Sequence, residues 1–226
     1  MGEAIGEVLP AAIGVALSPF PIIAVILMLF SPKAKTNGPA FLIGWVLGLV
    51  VVTGLVVALT SPDDVSGDGD EPATWASLIQ LLLGLGLLFL AYQNWQKRPK
   101  EGETVEMPKW MASIDKMTPL VALGLGALLS GVNPKNLLFD IAAGTAIAQA
   151  DLSPSEALVP FLVFVLVASV SVAVPVVWYL LAQESASKTL DTWKTWLTAN
   201  NALVMAILLL VLGVKLFGQG LGGLID

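Results

Sequence analysis

Residues 15–38, VALSPFPIIAVILMLFSPKAKTNG, place Ser18-Pro19 and Phe20-Pro21 inside a stretch that otherwise has the composition of a membrane-spanning helix. Proline in a helix interior costs about 3 kcal/mol and leaves a backbone carbonyl without its donor. In lipid this carbonyl needs a new partner, because no water is present to satisfy it. The stretch therefore predicts a broken helix in the membrane, with Ser18 either repairing the break or binding a ligand.

The whole chain has the composition of an integral membrane protein. Of its 226 residues, 56% are hydrophobic and 12% are charged, which is about half the charged fraction of a soluble domain. We expect an all-α polytopic membrane protein with six transmembrane helices, in which residues 1–226 form a single transmembrane domain. The six apolar runs, each long enough to cross a bilayer core, are 8–30, 39–60, 74–96, 118–148, 157–182 and 199–218.

The basic residues predict how these spans are oriented. The first, third and fifth loops carry nine of the eleven Lys and Arg residues, and the second and fourth loops carry none. Loops rich in Lys and Arg face the cytoplasm. We therefore expect a multi-pass protein of the plasma membrane with both termini on the extracytoplasmic side.

The order of the spans suggests two inverted halves. Three spans lie on each side of the basic loop 97–117, so residues 1–96 and 118–226 are expected to be three-helix repeats joined by a cytoplasmic linker. The first span of each half carries a polar residue directly before proline, Ser18-Pro19 in one and Asn133-Pro134 in the other. Proline-broken helices at corresponding places in inverted repeats point to the binding site of a secondary transporter.

The second break also carries ionisable side chains. Lys135 and Asp140 lie deep in the fourth span, where each charge costs about 2.5–3.5 kcal/mol on insertion scales. Lys135 at a helix N-terminus favours an anionic group, while Asp140 would bind a proton or cation or position Lys135, although about 140° separates the two around a helix. The alternative is an interior pair without a transport role. The candidate substrate-binding residues are Ser18, Pro19, Pro21, Asn133, Pro134, Lys135, Asn136 and Asp140.

The absence of some residue types excludes several kinds of site and reaction. The chain has no Cys and no His, which excludes disulfides, metal ligation by thiolate or imidazole, and nucleophile chemistry that depends on those side chains. The sequence GxxxxGK[ST] is absent as well, so ATP hydrolysis by this chain is not expected. We expect no cofactor, no metal site, no enzymatic activity and no nucleic-acid partner.

A glycine pair in the second span has two uses. Gly44 and Gly48 have the GxxxG spacing that lets helices approach closely. A contact between two copies of the chain would give a homodimer, whereas a contact inside one chain would bring two of its own helices together. The sequence leaves both uses open.

Two motifs resemble a known family. Residues 17–45, LSPFPIIAVILMLFSPKAKTNGPAFLIGW, and residues 131–148, GVNPKNLLFDIAAGTAIA, are similar to the actinobacterial GAP/Sap proteins. These are the glycopeptidolipid- and sulfolipid-addressing proteins, within the LysE-type exporter superfamily, and the resemblance covers nearly the whole chain. It implies a protein that helps to move cell-envelope lipids across the plasma membrane, while LysE-type relatives export amino acids and other small solutes.

These observations together predict a membrane transporter. We expect a flippase-like, gradient-driven exporter of an anionic amphiphile, either a cell-envelope lipid or a lipid-linked glycan. An apolar interior with a few convergent charges suits a ligand that has an apolar body and a charged head. Two alternatives remain: a LysE-like exporter of amino acids or small solutes, and a non-transporting membrane scaffold that recruits lipid synthases through residues 97–117.

Overall fold

All regular elements in the described part of the protein are helices. The computed structural model describes residues 1–60, 74–98, 113–114, 116–150 and 152–225. The predicted linker 97–117 therefore lies mostly outside the described residues. Within these residues the eight helices are α1 (Gly2–Ala16), α2 (Pro19–Leu29), α3 (Ala34–Leu59), α4 (Thr74–Gln96), α5 (Pro119–Gly131), α6 (Pro134–Gln149), α7 (Pro154–Leu181) and α8 (Gln183–Ile225).

The lengths of these helices support a protein embedded in a membrane. Within the described ranges, α3, α4, α7 and α8 contain stretches that are long and apolar enough to cross a bilayer. The pair α1 and α2 meets the same criterion as one span bent by 52°. The structure thus has four or five candidate spans. A sixth, as the sequence predicts, would require the 13 residues of α5 and the 16 residues of α6 to act together.

Proline begins a new helix at both predicted breaks. Pro19 is the first residue of α2 and Pro134 is the first residue of α6. A proline is tolerated there because the first residue of a helix has no hydrogen-bond acceptor for its N–H within that helix. The predicted fourth span, 118–148, is accordingly two short helices separated by Val132 and Asn133.

The loop predicted before the sixth span is wrong. Residues 183–198, expected as a loop, form the first part of α8, a single helix of 43 residues. Ala186 and Leu190 are fully buried in the core and lie one helical turn apart. Burial of this apolar face stabilises the segment as a helix, while the polar residues on its other faces keep its average hydropathy too low to predict a span.

The GxxxG pair is used inside the chain. A Cβ atom at Gly44 would lie 1.9 Å from the carbonyl oxygen of Leu123, and one at Gly48 would lie 2.0 Å from Ser130 Oγ. Both contacts are with α5, so α3 and α5 approach closely only because these residues lack side chains. This packing holds α5, the helix that immediately precedes the second break, against α3. A homodimer stays a prediction, but this motif no longer supports it.

Candidate functional site

The two helix breaks meet in space. Ser18 Oγ lies 3.1 Å from Asn136 Oδ1, which belongs to the first turn of α6. Ser18 Oγ also accepts a hydrogen bond from Lys135 Nζ, although the two residues are 117 positions apart in the chain. All three side chains are buried, with at most 9% of their surface exposed. The structure therefore brings three of the predicted site residues into direct contact.

The last carbonyls of α1 have no partner in a continuing helix, and side chains at the junction bind two of them. Pro19 cannot donate to Val15 O, which would be its partner in a continuous helix. Ser18 Oγ takes that place, 2.7 Å from Val15 O. Gly14 O accepts a hydrogen bond from Lys135 Nζ at 2.6 Å. Because carbonyl groups at a helix C-terminus carry partial negative charge, the end of α1 stabilises the buried ammonium without a carboxylate.

Two helix N-termini lie beside the same ammonium group. Ser18 is the N-cap of α2 and Asn133 is the N-cap of α6. Asn133 Oδ1 accepts a hydrogen bond from the backbone N of Lys135 at 3.1 Å, which satisfies one of the free N–H groups at this end. The first N–H groups of a helix carry partial positive charge. The junction is therefore electropositive and suited to an anion.

The remaining residues at the breaks have structural roles. The prolines at the start of α2 are buried, whereas Pro134 is exposed and Asn133 is half-buried. Asn136 Nδ2 donates to Leu129 O, near the C-terminal end of α5, at 2.8 Å. Both asparagines thus satisfy backbone groups that the break leaves free.

Asp140 has a hydrogen-bond partner of its own on another helix. Its side chain is fully buried, and Thr53 Oγ1 of α3 donates to Oδ1 at 3.4 Å. Its other oxygen, Oδ2, has no hydrogen-bond partner among the described residues. No ion pair joins Asp140 to Lys135, since the ion pairs in the described part of the chain involve other residues. The two side chains hydrogen-bond to different helices, Lys135 to α1 and Asp140 to α3, in accord with their angular separation on α6.

A cavity of about 370 Å³ lies between the N-terminal half of α1 and parts of α4, α6 and α8. Glu7 Oε2 accepts hydrogen bonds from Lys215 Nζ at 3.1 Å and from Gln219 Nε2 at 3.0 Å. Phe139, whose side chain is only 1% exposed, forms part of the cavity wall. We call this cavity the vestibule. Its lining includes Glu7, Gln80, Phe139, Gln149, Lys215 and Gln219.

Sequence reasoning missed the vestibule. Glu7 and Lys215 are 208 positions apart, and each alone has the position expected of a charge near the membrane surface. Finding them would have required knowing that α1 packs on the C-terminal half of α8. The apolar pattern of the sequence does not contain this information.

A second cavity, of about 540 Å³, lies between α2, α7 and the N-terminal half of α8. Ile22, one helical turn after Ser18, forms one wall, and Val174, Trp193 and Trp196 contribute to the others. The lining is almost entirely apolar. We call this cavity the apolar groove, and it begins one turn of α2 away from the polar junction.

Comparison with known families adds independent information to this geometry. A family model described as Sap, the sulfolipid-1-addressing protein, matches residues 8–222. The chain belongs to this family. The matched region contains both helix breaks and confirms the resemblance inferred from the two sequence motifs. No curated protein and no solved structure matches the chain. Membership of the Sap family, together with the apolar helices, indicates a membrane protein involved in lipid export.

Proposed function

We propose that the protein exports an anionic amphiphile across the plasma membrane and binds its charged head at Lys135. The observation that carries this proposal is the junction of the two broken helices, where the N-terminal turns of α2 and α6 lie beside one buried ammonium group. The ammonium is held by a carbonyl and a hydroxyl, and among the described residues no carboxylate lies within ion-pair distance of it. A sulfate, phosphate or carboxylate head would supply the missing negative charge.

The apolar groove supports an amphiphile as the substrate. It opens beside Ile22, whose backbone N–H donates to Ser18 O at 3.4 Å. An acyl chain in the groove would therefore lie next to a head bound at the junction. Apolar pockets with a few convergent polar groups are typical of ligand sites, and a small zwitterionic solute would leave the groove unused.

We also propose six spans arranged as two inverted repeats, residues 1–96 and 118–226. The helix contacts support this arrangement, because α3 packs on α5, α1 packs on α7, and α4 packs on α8. In this arrangement the pair α1–α2 corresponds to α5–α6, α3 to α7 and α4 to α8. Exchanging the two halves therefore turns the contact of α3 with α5 into the contact of α7 with α1, and it leaves the contact of α4 with α8 unchanged. Substrate sites of such transporters lie between the repeats, and the positive-inside rule would place the vestibule on the extracytoplasmic side.

Asp140 is our assignment for coupling to the proton gradient. A buried carboxylate without a cation costs several kcal/mol, and Oδ2 has no donor nearby among the described groups. Binding and release of a proton would change this cost, while the hydrogen bonds of Lys135 are made to a different helix.

Reconstitution tests the proposed function. Liposomes containing the purified protein and a proton gradient are loaded with labelled lipids carrying sulfate, phosphate, zwitterionic or cationic heads, and exposure on the opposite leaflet is followed with a membrane-impermeant quencher. We expect anionic lipids to move at least tenfold faster than in protein-free liposomes and faster than the other classes. Release of trapped amino acids without lipid movement would instead support the small-solute exporter. Movement of neither would favour the scaffold.

A further inference from the structure

The Phe139 side chain borders the vestibule and lies close to the Lys135 junction. Phe139 lines the vestibule, while Lys135 and Ser18 do not. The Phe139 ring centroid also lies 5.5 Å from Lys135 Nζ. The same ring therefore borders the vestibule and is a near neighbour of the ammonium group.

Gly14 provides the space that the ring occupies. A Cβ atom at position 14 would lie 2.7 Å from Phe139 Cζ and 2.8 Å from Cε2. The carbonyl of this same glycine accepts the hydrogen bond from Lys135 Nζ. The tip of the ring thus rests on the residue that holds the ammonium, next to Leu212, which also lines the vestibule and would lie 2.8 Å from the same Cβ atom.

We propose that Phe139 is a gate between the vestibule and the Lys135 junction, and that the structure shows the gate closed. The vestibule, about 370 Å³, has roughly twelve times the volume that one water molecule occupies in the liquid, so the ring has space to turn into it. Turning it would join the junction to the vestibule and give an anionic head a polar path from Lys135 past Gln149 and Gln80. This inference rests on the proposed function for its biological meaning, but its geometry can be tested without a substrate.

Single-cysteine labelling tests the gate in the full chain, which has no native cysteine. Ser18→Cys places a thiol at the junction, and its reaction with a membrane-impermeant, negatively charged methanethiosulfonate is measured in proteoliposomes. We expect slow labelling with Phe139 present and at least tenfold faster labelling in Ser18→Cys/Phe139→Ala, with the reagent added on the vestibule side. Phe139→Leu, which keeps more of the core volume, should give an intermediate rate.

Phe164→Ala is the matched control, because Phe164 is also fully buried but is not part of the vestibule wall. In Ser18→Cys/Phe164→Ala the labelling rate should equal that of Ser18→Cys alone. The gate is overturned if Phe139→Ala and Phe139→Leu leave the rate unchanged, if the control accelerates it equally, or if faster labelling occurs only from the opposite side. Lipid transport with unchanged labelling would refute the gate alone, whereas faster labelling without transport would refute only the proposed function.

Discussion

Replacing Ser18 by alanine tests whether the two helix breaks are held together as the structure shows. Ser18 Oγ contacts Val15 O within its own segment and also contacts Lys135 Nζ and Asn136 Oδ1 of α6. Ser31 is a matched control, because it is equally buried and its Oγ donates only to Met28 O, three residues earlier, at 2.7 Å. The two serines differ in their contacts to another helix.

The size of the effect follows from those additional contacts. A hydrogen bond to a charged group contributes about 1.5–3 kcal/mol, and a neutral bond between membrane helices contributes about 0.6 kcal/mol. Since Ser18 has one hydroxyl proton to share, we expect Ser18→Ala to lower the free energy of unfolding by about 2 kcal/mol more than Ser31→Ala does. Unfolding in mixed micelles with increasing dodecyl sulfate, followed by Trp fluorescence, measures both values.

A double-mutant cycle assigns the difference to the contact with Lys135. In a Lys135→Met background, the effect of Ser18→Ala should fall close to that of Ser31→Ala, because the charged donor is gone. Equal effects of the two serine variants in the wild-type background would show that the breaks are not joined through Ser18. An effect of Ser18→Ala that is the same with and without the lysine would show that another contact is responsible.

Two further predictions concern the packing that positions the site and the coupling carboxyl. Gly44→Ala should lower the free energy of unfolding by about 1–3 kcal/mol, because its Cβ would lie 1.9 Å from Leu123 O. The control is Gly54→Ala on the same helix, which should have little effect because its nearest neighbour would lie 3.9 Å away. Equal stabilities of the two variants in the same micelle assay would contradict the close approach of α3 and α5. Asp140→Asn should preserve folding and abolish the stimulation of lipid movement by a proton gradient. The control is Asp191→Asn, which changes an exposed carboxyl paired with a lysine and should leave that stimulation intact. Stimulation that survives in Asp140→Asn would refute the proton site.

The breaks could be predicted from the sequence because proline acts locally. Pro19 and Pro134 each remove a backbone donor, and this consequence does not depend on the rest of the fold. The presence of Lys135 in an apolar span also predicted an interior role, since a charge there is costly wherever it lies. The family resemblance rested on the same two segments, and the family match over residues 8–222 confirms it.

The partners of these residues could not be predicted, because they depend on how the helices pack. Nothing in the sequence shows that Lys135 contacts Gly14 O or that Asp140 contacts Thr53. Likewise, nothing in the sequence shows that Phe139 lines a polar cavity and lies close to the ammonium group. The long helix α8 was missed for a related reason, since its first part is stabilised by contacts with the core rather than by its own hydropathy.

The most direct test of the central claim is the movement of an anionic lipid by proteoliposomes that contain Lys135→Met in place of the wild type. Lys188→Met removes an exposed lysine of α8 and serves as the control. We predict that Lys135→Met slows the anionic lipid at least tenfold and leaves the slow movement of a zwitterionic lipid unchanged, while Lys188→Met matches the wild type. Equal rates for the anionic lipid in all three proteins would contradict the assignment of Lys135 as the residue that binds the charged head.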